Sequence, residues 1–407
     1  MTFRFKSLAL VPGLVLALSL AGCQGGEKPA GGSPSASPSA PAVTAAPSPS
    51  AAAPTAAPTT APGSPAPKPT GVGQPLQAAG EVTAVRLADP QSGWTAGNGW
   101  IAHTADGGQH WESQYTGDGK VTQLFALNGQ KAWAVTDKGQ LLATTDGGAS
   151  WKAAGQVPNQ GFLHFVSDTE AFAGNARSTD GGKTWTTLKA PAGIVGDAYF
   201  HDKANGWAVT ASPDKAIIQR TTDGGAAWKP VKELKLAAAI TGTVIRSAGE
   251  DDAWVELIGQ SGMTQTSYSL FHTTDGGKAW KTVLANSTAG GGPAPGFPLN
   301  YNDGPKNNGS KPGMLYVVNR TAAFMGGYCP ACDNPNSVGK TTDGGATWVN
   351  GKDSVPGTSG ALLAMADASK GWLITNDASQ PSVFYTTTDG GSHWTKVSSF
   401  PPAKKAS

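Results

Sequence analysis

Cysteine is nearly missing, with three residues in 407, Cys23, Cys329 and Cys332. So few thiols exclude a disulfide-stapled scaffold, and a single C-x-x-C argues against a four-ligand zinc centre. Charge is scarce as well: 14% of residues are charged and the net charge is +2. No field of that size gathers nucleic acid or anionic membrane, so neither is expected as an electrostatic partner. Arginine occurs six times. The longest apolar run, Leu8 to Leu20, is too short to cross a bilayer as a permanent helix. What is plentiful is Gly (55) and Pro (30), and thirteen of those prolines lie between Pro29 and Pro75. Without that stretch the composition is that of a tryptophan-rich β protein.

Arg4 and Lys6 precede the apolar run, the arrangement of a signal-peptide h-region, so export is expected. The run ends in Leu20-Ala21-Gly22-Cys23, which resembles the bacterial lipoprotein lipobox. That resemblance implies a signal peptide over residues 1–22, lipidation of Cys23, and anchoring to the extracytoplasmic face of a bacterial membrane, with two acyl chains supplying stable attachment. Residues 23–77 are mainly Ala, Pro, Ser, Thr and Gly and read as a disordered linker. In the polyproline II limit of about 3.1 Å per residue, some fifty residues would reach roughly 150 Å.

One pattern, [Ser/Thr]-x-Asp-Gly-Gly-x-x-Trp, recurs seven times, with its aspartates at Asp106, Asp146, Asp180, Asp223, Asp275, Asp343 and Asp389. The matching tryptophans are Trp111, Trp151, Trp185, Trp228, Trp280, Trp348 and Trp394. Successive aspartates are 40, 34, 43, 52, 68 and 46 residues apart, bracketing the length of a four-stranded propeller blade. Upstream of each copy lies a short aromatic segment, centred on Trp94, Trp133, Phe172, Trp207, Trp254, Phe324 or Trp372. Each unit therefore reads as strand a, aromatic strand b, strand c, Asp-Gly-Gly turn, strand d. Seven units predict an all-β, seven-bladed propeller of four-stranded antiparallel blades over residues 78–400, with a disordered tail at 401–407. The glycines permit the positive φ of a tight corner, the carboxylate can accept loop N–H groups, and the indole can bury between sheets.

The repeats resemble the Asp-box, or BNR, motif of sialidase-type β-propellers. The shorter unit, a Gly-Trp strand ahead of Thr-x-Asp-Gly-Gly-x-x-Trp, is most similar to Ycf48/Hcf136-like propellers, whose photosynthetic members are non-catalytic photosystem II assembly factors. This resemblance places the aspartates in peripheral turns as structural groups. An isolated Asp-Gly-Gly turn offers one carboxylate, so no metal site and no cofactor are expected.

Function is expected on the opposite, upper face, where the longest non-repeat segments emerge: Ile258 to Ser269, Leu284 to Pro312 and Gly326 to Gly339. They carry Tyr268, Phe297, Tyr301, Asn302, Asp303, Lys306 and Tyr328, aromatic and polar groups suited to a partner protein or a glycan. Cys329 and Cys332 should pair as a disulfide within one of these loops. Sialidases grip their substrate with three arginines; here Arg4 lies in the signal, and Arg177 and Arg220 directly precede Asp-box residues. No acid pair with glycosidase separation can be assigned. The expectation is a monomeric, membrane-anchored interaction or assembly module that catalyses nothing. The alternatives are a glycan binder or sialidase-like glycoside hydrolase and, for a photosynthetic source, a photosystem II assembly factor. Sparse arginines weigh against the last, because its partner contact is expected to use a basic patch.

Overall fold

Short β-prone runs cut by Gly-rich corners make ribbons with an apolar face, and each must cover that face with another sheet. The computed structural model describes residues 74–403. Among them every regular element is a strand, and the strands form four-stranded antiparallel blades in a β-propeller. The signal peptide, Cys23, most of the linker and residues 404–407 lie outside the described residues.

Five sheets stand alone with four strands each, spanning residues 163–187, 199–235, 242–286, 311–355 and 362–399. The first two repeats depart from the expected seven separate blades. They share one seven-stranded sheet made of β1 (Gln74–Pro75), β2 (Val82–Leu87), β3 (Gly93–Thr104), β4 (Glu112–Ala126), β5 (Ala132–Thr136), β6 (Gln140–Thr144) and β7 (Lys152–Gln156). The start of β4 pairs with β3 and its end with β5. The reason is that Gly117-Asp118-Gly119 forms only a bulge: pairing with β3 resumes at Asn98 and Lys120, and pairing with β5 begins at the next residue, Val121. A second correction concerns the linker. Gln74 and Pro75, assigned to it from composition, form β1 and pair with Ser113 and Glu112. At the other end the carbonyl of Pro401 accepts hydrogen bonds from the N–H groups of Ala79 and Gly80 at 3.2 and 3.3 Å.

Neighbouring repeats meet through one recurring contact. The strand b aromatic of one repeat receives the Asp-box tryptophan of the next, edge-on for Trp94 and Trp151 (6.4 Å, 88°) and for Trp207 and Trp280 (5.9 Å, 88°). Trp133 with Trp185, Phe172 with Trp228, Trp254 with Trp348 and Phe324 with Trp394 share apolar clusters in the same way. Trp372 of the last repeat packs edge-on against Trp111 of the first at 5.7 Å and 77°. The ring therefore closes by the contact used at every other interface. Asn376 Nδ2 to the Val82 carbonyl (2.8 Å) and Val82 N–H to Ser382 Oγ (3.2 Å) add polar links at that seam.

Candidate binding cavity at the propeller hub

The Asp-box turns repeat almost atom for atom. In all seven the Ser/Thr hydroxyl donates to the aspartate Oδ1 at 2.8–2.9 Å and accepts the N–H of the second glycine at 2.8–3.0 Å. The same Oδ1 accepts the N–H of the residue before the tryptophan at 2.9–3.0 Å. Both glycines sit at positive φ, 67–80° for the first and 76–90° for the second. Hydrogen bonds from the Thr184 hydroxyl and N–H hold Asp180 down to about 2, and Thr347 does the same for Asp343. These carboxylates are ionised, satisfied within their own loops, and unavailable as acids. Among the described residues no group of three or more His, Cys, Asp or Glu side chains is placed to hold a metal.

The composition of the turns conceals a second corner. The first glycine of every Asp-box donates to a carbonyl in the strand a to strand b turn of its own repeat, at 2.7–3.0 Å. In six repeats that turn opens with Asp89, Asn128, Ser167, Asp202, Asn319 or Asp367, whose side-chain oxygen accepts the N–H groups two and three residues on. Each of the six lies five residues before its strand b aromatic, a spacing that could have revealed it.

At the upper end the three long segments meet at Ser310. Its hydroxyl donates to the Thr264 carbonyl (2.5 Å), its N–H donates to Tyr328 (3.0 Å), and its carbonyl accepts from Thr266 (2.8 Å). Phe297 and Tyr301 stack on each other at 4.3 Å, and Phe297 stacks on Phe271, so they fasten the loop to the sheet below. Asn302, Asp303 and Lys306 are exposed, and the Tyr328 hydroxyl donates to the Thr358 carbonyl at 2.7 Å. Tyr268 does not belong with them. It faces the sheet of residues 311–355 and has no exposed surface, because its place on the inward face of an extended hairpin directs the ring between sheets. Cys329 and Cys332 are disulfide-bonded, with Cα atoms 5.4 Å apart.

The loops are not the only concave feature at that end. A cavity of about 440 Å³ lies at the hub, lined by the innermost strand of every repeat, from Thr83 and Ala84 through Thr122, His164, Tyr199 and Arg246 to Met314 and Leu362. Its rim is knitted together. Thr83 donates to the Val121 carbonyl, Gln123 bonds the Gly161 carbonyl (3.0 Å) and the Leu163 N–H (2.9 Å), and Thr243 donates to the Val195 carbonyl (2.6 Å). Below the rim, the residue eight positions before each strand b aromatic pairs directly opposite that aromatic. These residues are Arg86, Phe125, His164, Tyr199, Arg246, Tyr316 and Ala364. Loop-based reasoning missed this tier, although the fixed offset is visible in the sequence.

Three members of the tier are basic, three are Phe or Tyr, and the seventh is Ala364. The Arg86 guanidinium lies 4.6 Å over the Phe125 ring and 5.8 Å from that of Tyr316. Arg246 lies 3.7 Å over Phe162, and His164 stacks on Tyr199 at 4.9 Å and 8°. Burial, aided by the fields of His201 and Arg246, brings His164 down to about 3, so it is neutral. Burial likewise raises the Tyr199 hydroxyl to about 12 and lowers Arg246 to about 10, leaving tyrosine neutral and arginine charged at pH 7. Behind Arg246, burial pushes Glu256 up to about 8 against the opposing charge of Arg246.

Residues 177–300 match the family described as photosynthesis system II assembly factor YCF48. The photosystem II assembly lipoprotein Ycf48 of Synechococcus sp. (strain CC9902) is 28% identical over 160 residues, covering 36% of this chain and 47% of that protein. A xyloglucanase from Paenibacillus sp. is 22% identical over 258 residues, 55% of this chain and 23% of the enzyme. The chain thus spans about half the length of the first relative and about a quarter of the second. Among solved structures, YCF48 bound to D1 peptide aligns over 78% of this chain and 93% of its own, at 18% identity and a TM-score of 0.45. YCF48 from Cyanidioschyzon merolae aligns over 80% and 95%, at 16% identity and a TM-score of 0.46.

Proposed function

We propose that this chain, a Ycf48-like Asp-box propeller, is a non-catalytic protein-binding module, exported and held by lipid on Cys23 at the outer face of a membrane. Its linker carries the propeller away from the bilayer, and its upper end receives the partner. The observation that carries this reading is the contrast between the two ends. At the lower end all seven Asp-box carboxylates are satisfied inside their own turns. At the upper end an open cavity is accompanied by the long loops bearing Phe297, Tyr301, Asn302, Asp303, Lys306 and Tyr328. A hydrolase needs acids free to titrate, whereas a binding surface needs shape and unpaired donors. We count the seven-stranded sheet as two functional units, giving seven sectors around the hub. The seven-residue tier facing seven strand b aromatics supports that count.

The narrower role, photosystem II assembly, draws on the family match and on the relatives named above, and the presence of photosystem II in the source organism decides it. The test of the module is crosslinking in cells, using the full-length chain with a photoreactive residue at Tyr301, Tyr328 or Gln123. Capture of one defined protein from these positions, and not from a residue at the Asp-box end such as Lys183, is the expected result. Turnover of a fluorogenic glycoside that disappears with one acidic substitution would refute it.

A further inference from the structure

The rim of the hub cavity is satisfied by bonds between neighbouring strands, but the tier beneath it is not. Both ring nitrogens of His164 are buried without a hydrogen-bond partner, and the side chain lines the cavity at 7% exposure. Backbone groups of Phe162 and Phe200 approach it without making a hydrogen bond of good geometry. The Arg86 Nε is likewise buried and unpartnered. Arg177 and Arg220 pair with Glu170 and Asp251, whereas Arg86 and Arg246 have no ion pair among the described residues. Buried donors are almost always matched, so two basic side chains with unpartnered nitrogens, His164 and Arg86, in one tier with Arg246, which has no ion pair, mark a place for an acceptor.

The arrangement also favours which acceptor. Arg246 lays its flat face on Phe162 and one N–H on the Ile245 carbonyl (2.8 Å). Stacking uses the face of a guanidinium and leaves its other edge free for a planar, two-oxygen group. Arg246 is the guanidinium that lines the cavity, with the charge of Arg86 close beside it, and they face one lining carboxylate, Asp197, which is exposed at the rim. Phe162, Tyr199 and Met314 supply apolar walls, and the volume is that of a small-ligand pocket.

We propose that the hub cavity is a carboxylate-binding site, in which Arg246, backed by Arg86, and a ring N–H of His164 hold the oxygens of a ligand entering between Thr83, Gln123 and Thr243. This deepens the binding-module reading by naming the chemistry that the cavity takes. The carboxylate is either that of a free organic acid or that of an acidic side chain on the partner. The site works by charge-assisted hydrogen bonding, and no covalent step is involved.

Calorimetric titration of the full chain with succinate, acetyl-Ala-Glu-Ala-amide and acetyl-Ala-Gln-Ala-amide tests the site. One or both carboxylate probes should bind, and the glutamine peptide should not. Succinate alone identifies a free acid; the glutamate peptide binding at least as tightly identifies a side chain. Arg246→Gln should weaken binding tenfold or more and Arg246→Lys less. His164→Phe, which keeps the ring stack and removes the N–H, should weaken it severalfold while thermal unfolding shows the fold retained. If neither carboxylate probe binds, or if Arg246→Gln binds as wild type does, the site is refuted, while crosslinking to a protein would still stand. Crosslinking that captures no protein, with succinate bound, would reverse that outcome.

Discussion

Replacing Glu256 by glutamine changes one oxygen for an NH2 group and isolates the cost of a buried charge. Glu256 lies in the strand Ala253–Ser261, 1% exposed, with Oε1 unpartnered, on the face that packs against the sheet of residues 311–355. Burial pushes the carboxyl from 4.5 up to about 8, and Arg246 opposes the rise. Between those values the folded protein keeps a proton that the unfolded chain has released. Stability from this group is therefore complete below about pH 4.5, falls as pH rises, and levels off above about pH 8. At about 1.4 kcal/mol per tenfold change in proton affinity, the ionised carboxylate costs on the order of a few kcal/mol. Urea unfolding followed by tryptophan fluorescence, at steps from about pH 5 to about pH 9, measures it as a difference between wild type and Glu256→Gln. The curves should nearly coincide at the acid end and separate towards alkaline pH, with the glutamine variant the more stable. Curves that stay parallel, or a wild type that gains on the variant as pH rises, would show that the buried carboxyl does not titrate as argued.

Thr144→Val keeps the shape of an Asp-box hydroxyl but leaves the buried Gly148 N–H, 2.8 Å from Thr144 Oγ1, without an acceptor. Denaturant titration should show a loss of about 1–3 kcal/mol. Trp372→Ala removes a side chain 1% exposed at the seam between the last and first repeats. A loss of about 3–5 kcal/mol is expected, with amide exchange rising first in β2 and in residues 362–399. Cys329→Ser with Cys332→Ser opens a four-residue ring at a loop tip, and because loop-closure entropy grows with ring size the melting temperature should fall only slightly. Titration of wild type and Asp180→Asn by carboxylate NMR should find Asp180 ionised down to about pH 2, since Thr184 bonds its charged form.

Local chemistry wrote the propeller into the sequence. Asp-Gly-Gly corners need two residues at positive φ and an acceptor at a fixed offset, so the spacing of Thr144, Asp146, Gly148 and Trp151 is fully visible without coordinates. The strand b aromatics were legible for the same reason, because each repeat must fill the same gap against its neighbour. Long-range packing decided the rest. The fusion of the first two repeats through β4 depends on the ladder resuming at Asn98 and Lys120 beyond the bulge of Gly117-Asp118-Gly119, and no side chain there announces it. The burial of Tyr268 depends on which face of an extended hairpin meets the next sheet. The hub tier is the clearest case: Arg86, His164 and Arg246 are unremarkable residues on three separate strands until ring closure sets Arg86 beside Tyr316 and turns His164 into a shared interior. Sequence alone determined the repeat and its corners, since those are contacts between near neighbours. Only the closed ring determined which polar groups were left without partners, since that depends on residues far apart along the chain.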